Sequence, residues 1–128
     1  MKNICAFAAF TTILFFSACN NEKEDPLPQI AVESPIEGAT IEFGDTVHIE
    51  VNITHTEALH EYLVELKNAD DDIVLFSEGE HSHDTEAHVH NHWVNNVATH
   101  TDMELNVTAI DHANRTSTRT VHFHCHPQ

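Results

Sequence analysis

The chain has 128 residues, with 5 Lys and Arg against 21 Asp and Glu, a formal net charge of −16 at pH 7. That length fits one small domain and excludes a large multidomain enzyme. A surface this acidic repels phosphate backbones and anionic headgroups, which excludes direct nucleic-acid binding and leaves covalent attachment as the route to a membrane. The unusual count is histidine, 13 in all.

Residues 1–18 hold Phe7, Phe10, Phe15 and Phe16, four of the seven Phe, and none of the acidic residues. Lys2, an apolar run over residues 4–16 and the small residues Ser17 and Ala18 have the layout of an export signal peptide. The run is too short to span a bilayer. Phe16-Ser17-Ala18-Cys19 resembles the lipobox of bacterial lipoproteins, with Phe16 where Leu is usual. The resemblance implies lipidation of Cys19 as the first mature residue. Acyl chains contribute about 0.8 kcal/mol per buried methylene, enough in combination to anchor the protein to a membrane. The chain is then expected as an exported outer-membrane lipoprotein, facing either the periplasm or the cell surface.

Residues 19–28 are polar and acidic and end in Pro26 and Pro28, so they read as a lipidated, flexible tether. Their acidic patch also resembles the surface-export signal of lipoproteins in the Bacteroidota lineage, although a plain solubilising linker has the same composition. With Cys5 in the signal and Cys19 lipidated, Cys125 has no partner for an internal disulfide. It is a buried hydrophobe, a soft metal ligand or an intermolecular partner.

Over residues 29–128 the hydrophobic period is two. Val47, Ile49, Val51 and Ile53 alternate with polar residues, Tyr62, Val64 and Leu66 with Glu61, Leu63 and Glu65, and Leu105, Val107 and Ala109, then Val121, Phe123 and Cys125, again with polar ones. Residues 30–32 and 73–76 read as further short strands. Turns fall at Glu37-Gly38, Gly44-Asp45, residues 68–72 and residues 111–115. About seven strands without an amphipathic helix predict an all-β, immunoglobulin-like or fibronectin-III-like sandwich, with Tyr62 and Trp93 as core anchors.

Pro35-Ile36-Glu37-Gly38 followed by Phe43-Gly44-Asp45-Thr46-Val47 resembles the opening of bacterial Ig-like and fibronectin-III-like modules. Asp111-His112-Ala113-Asn114-Arg115 is similar to the loop between their last two strands. Together with the lipobox and the central His-x-His segment, these resemble the lipoproteins called domain of unknown function 4625. That resemblance covers most of residues 29–126 and implies a fold without an activity.

Residues 81–92 hold five histidines: His81, His83, His88, His90 and His92. In a strand His88, His90 and His92 share one face, and His81 and His83 form a second pair in the preceding loop. If strands alternate up and down, the upper rim also receives His55, His60 and His112. His100 and the tail His124-Cys125-His126 fall at the opposite end. This predicts a principal metal site above and a weaker, less ordered one below. His48 is an outward neighbour for His92.

Imidazoles with a few carboxylates suit zinc, copper(II) or nickel rather than magnesium or calcium. Protons compete for imidazole, so binding weakens in acid. The acidic triplet Asp70-Asp71-Asp72 lacks the spacing of a calcium loop and reads as a solvated turn. His88-Val89-His90 is similar to the copper pair of copper-zinc superoxide dismutase, but the rest of that pattern is missing and no hydrolase motif appears. The reading is therefore a non-enzymatic, lipid-anchored metal-binding domain that buffers, scavenges or delivers zinc or copper. An outer-membrane or surface protein is its expected partner. The alternative is a non-catalytic interaction or adhesion module whose histidines are incidental.

Overall fold

The alternation along the chain folds into strands throughout. The computed structural model describes residues 25–128. Eight strands follow in order: β1 (Gln29–Ser34), β2 (Thr40–Ile41), β3 (Thr46–Thr54), β4 (Leu59–Asn68), β5 (Val74–His81), β6 (Glu86–Val94), β7 (Thr101–Asp111) and β8 (Thr116–Cys125). Among the described residues there is no helix long and apolar enough to cross a membrane. The export signal and Cys19 lie outside the described residues.

Two sheets face each other, one ordered β1-β3-β6 and the other β2-β8-β7-β4-β5. All pairs are antiparallel except β2 with β8. The first part of the chain is thus divided between the sheets, β3 pairs with β6, and β4, β7 and β8 build the opposite face. This is an immunoglobulin-like sandwich.

The core is what the period of two selects. Val47, Ile49, Val51 and Ile53 on β3 face Leu66, Leu105, Val107 and Phe123 across the interior, all at most 1 % exposed. Each such side chain contributes about 1.5–3 kcal/mol by leaving water. Tyr62 is buried and Trp93 packs at the edge of the core. Cys125 is a free thiol, fully enclosed in phase with Val121 and Phe123, so burial is its role. Gly38 and Gly44 take φ of 74° and 84°, conformations that a residue with a Cβ adopts only at a cost, and each marks an expected turn.

Two elements differ from expectation. The strand beyond the expected seven, β2, is two residues long and pairs parallel with β8, too short to carry any periodic signal. The strand expected over residues 73–76 instead runs from Val74 to His81. Ile73, Val74 and Leu75 are exposed, whereas Phe76 and Glu78 are the half-buried positions of this outer strand. The end of the expected tether is also held: Arg115 Nη1 donates to the Asp25 carbonyl at 2.7 Å and His55 Nε2 to the Pro26 carbonyl at 2.9 Å.

Candidate metal centres

The upper rim is assembled from three connections. β3 leads into the 55–58 loop, β5 into the 82–85 loop and β7 into the 112–115 turn. Backbone bonds lace the first two together: His55 N to Thr85 O at 2.8 Å, Leu59 N to Asp84 O at 2.8 Å and Ser82 N to His60 O at 2.9 Å. Pairing of β4 with β7 shifts register between Leu59 and Glu61, placing a bulge at His60. Such bulges re-aim a side chain, here one between the inward Leu59 and Tyr62.

His60, His81, His83 and His112 close into a ring of four imidazoles. Centroid separations are 4.3 Å for His60–His81, 5.1 Å for His81–His83, 5.3 Å for His83–His112 and 5.0 Å for His60–His112. His83 Nδ1 lies 3.4 Å from His112 Nε2. Two nitrogens on one tetrahedral zinc stand about 3.3 Å apart, given Zn–N near 2.0–2.1 Å. His60 Nδ1 is buried and has no hydrogen-bond partner among the described residues. A buried polar atom left without a partner is rare enough to require a reason.

His112 is held by its neighbour. Asp111 Oδ1 accepts the N–H groups of Ala113 (2.8 Å) and Arg115 (2.9 Å), and Oδ2 accepts Arg115 Nε at 2.8 Å. Burial alone would raise the Asp111 carboxyl, but these donors and the guanidinium charge outweigh it and hold the group below the ordinary carboxylate value.

The other expected residues do not join the ring. His55 is buried, its Nε2 bonded to Pro26 and 3.8 Å from Asp111 Oδ2, its Nδ1 against the Glu57 backbone at 3.0 and 3.2 Å. His88, His90 and His92 line the outer face of β6 as the period predicts, with Val89 buried between them. His88 Nδ1 bonds Asn52, and His90 Nδ1 is 3.4 Å from Glu50 Oε1. The His88 and His90 rings stack at 6.4 Å. His92 stands opposite His48 in the β3–β6 register. His81 ends β5 instead of lying in a loop.

At the lower end the geometry is tighter than the sequence suggested. His100, Asp102 and His124 form a group whose ligand atoms all lie within 4.8 Å of one another. Asp102 Oδ1 is 2.7 Å from His124 Nδ1 and 3.5 Å from His100 Nε2. The bond from His124, with the charges of both rings, holds the Asp102 carboxyl below its ordinary value. Asp102 went unrecognised because its partnership with His124 is a cross-strand register of β7 with β8. Alternation shows that both point outward, but not that they are opposite each other.

No family model matches the chain, and no curated protein matches it. Among solved structures, it is similar to a crystal structure of the periplasmic chaperone SfaE, at 13 % identity and a TM-score of 0.42. The likeness covers 78 % of this chain and 57 % of that one.

Proposed function

We propose that this immunoglobulin-like domain is a non-catalytic, lipid-anchored protein of the cell envelope that binds zinc or copper(II) through histidine side chains. The observation that carries the reading is the upper-rim ring of four imidazoles with the buried, unpartnered His60 Nδ1 within it. His83 Nδ1 and His112 Nε2 already stand at donor spacing, and His60 on β4 and His81 at the end of β5 would turn their nitrogens toward them to complete a set that either ion accepts. The acidic surface raises the local concentration of cations and favours capture from dilute solution. Buffering, scavenging or handing on the ion are the roles that follow.

The test uses untagged protein purified without a metal-affinity resin, titrated calorimetrically with zinc and copper(II). At about pH 7.5 the tightest event is expected at a Kd of about 1 μM or below. It should weaken steeply at about pH 5.5, where protons compete for imidazole. Replacing His60, His81, His83 and His112 together by Ala should abolish that event while the circular dichroism spectrum persists. Binding no tighter than about 1 mM, or unaltered in the variant, would overturn the reading.

One observation favours an interaction module instead. β5 is the outer strand of the five-stranded sheet, and its first residues Val74 and Leu75, with Ile73 just before them, are exposed. An open strand edge with apolar side chains is a template for pairing with another chain. On that reading Val74→Lys abolishes partner capture and leaves metal titrations unchanged.

A further inference from the structure

We propose a second divalent-metal site at the lower end of the sandwich, held by His100, Asp102 and His124, with one coordination position open to solvent. It shares no residue with the upper rim and stands or falls separately from it.

The ligand chemistry differs from that of the upper ring. Two imidazoles and one carboxylate supply a negative charge to the ion, and three protein ligands with a vacant position are the pattern of an exchangeable site rather than a closed structural one. The separations of 2.7 and 3.5 Å from Asp102 Oδ1 bracket the spacing of about 3.3 Å between donors on one tetrahedral ion. An ion entering takes the place of the proton now shared between Asp102 and His124, so small side-chain rotations suffice. The three side chains are 57 %, 56 % and 44 % exposed, so the ion enters without any opening of the fold. His126, whose ring is 5.1 Å from that of His100, stands ready as a fourth imidazole and now pairs with Glu42 at 3.4 Å.

A surface ion pair would show the same residue types. What sets this group apart is the rigidity of the backbone that carries it. Asp102 and His124 are directly opposite in the β7–β8 register, and Ala39, just before β2, ties down the far side of β8 by accepting His124 N at 2.8 Å. The approach to His100 is fixed by Asn95, whose side chain is wholly buried. Its Nδ2 donates to Ile41 O at 3.0 Å and His126 O at 2.9 Å, and its Oδ1 accepts Val97 N at 3.2 Å. Thr101, also buried, donates its hydroxyl to Thr99 O at 2.9 Å. One amide thus joins the loop carrying His100 to the tail carrying His126. Ligands held in place before the ion arrives lose less freedom on binding it.

The experiment is a zinc chloride titration of the full chain, followed by calorimetry and by backbone amide NMR. Wild type should take up two ions per chain. The double variant His100→Ala/His124→Ala should take up one, with the remaining shifts confined to residues near His83 and His112. Asp102→Asn, which keeps the side chain's size, should weaken the lower event about tenfold or more. Unchanged stoichiometry and affinity in the double variant would overturn the site. His60→Ala/His112→Ala separates the two readings. If that variant alone removes all zinc, the lower site is overturned and the upper stands; if it removes none while the lower variant does, only the upper falls.

Discussion

Asp111 is 1 % exposed and ionised, held by the backbone N–H groups of Ala113 and Arg115 and by the Arg115 guanidinium. Its carboxyl lies below the ordinary value, so the folded state releases this proton more readily than the unfolded chain does. The stability it contributes is present above the unfolded carboxylate pKa, about 3.9, and is lost as pH falls through the lower folded value. Asp111→Asn should therefore lower Tm at neutral pH, with the two Tm curves converging below about pH 4. A constant gap across that range would show that the charge is not what matters. Cys125 is the opposite case: burial pushes its thiol up to about 11. The neutral thiol is favoured in the fold, so its contribution is complete below the unfolded pKa of about 8.5 and is lost as pH rises toward 11. A thiol reagent near neutral pH should label Cys125 only as fast as the protein opens, and at once in denaturant.

Strands were legible where one face is buried and the other is wet. The bounds of β3, the outward His88, His90 and His92 of β6, and the inward set of β8 all follow from alternation. Of the outer strand β5 only residues 74–76 were, because its apolar run at residues 73–75 is exposed and its half-buried Phe76 and Glu78 do not continue as a hydrophobic stripe. β2 was invisible for a different reason: it is held by the partners it finds in β8 and by Asn95, not by its own composition. Asn95→Ala leaves the His126 carbonyl without its donor and the Ile41 carbonyl with the His126 N–H alone, and should cost about 1–3 kcal/mol. Urea denaturation measures the loss. Faster hydrogen exchange at His124 and His126 would locate it in the β2–β8 seam.

For the molecule as a whole, a net charge of −16 on 128 residues means that self-repulsion opposes folding. Raising sodium chloride from about 10 mM to about 150 mM should raise Tm, since exposed charges are screened beyond about 8 Å there. A falling Tm would mean that attractive pairs such as Lys67–Asp72 outweigh the repulsion. The same scale explains how much of the candidate sites could be read beforehand. Strand direction alone brings His60, His81, His83 and His112 to one end. Their closure into a ring depends on a bulge at His60 and a turn shaped by Asp111, which no spacing reveals. The pinned Asp25 and Pro26 carry a last consequence. They make the chain enter the domain beside the four-imidazole ring, so on the lipid-anchored reading a leash of at most about 20 Å separates Cys19 from that face. On that reading the four-imidazole end would lie nearer the headgroups than the His100–Asp102–His124 end, both on the same side of the membrane.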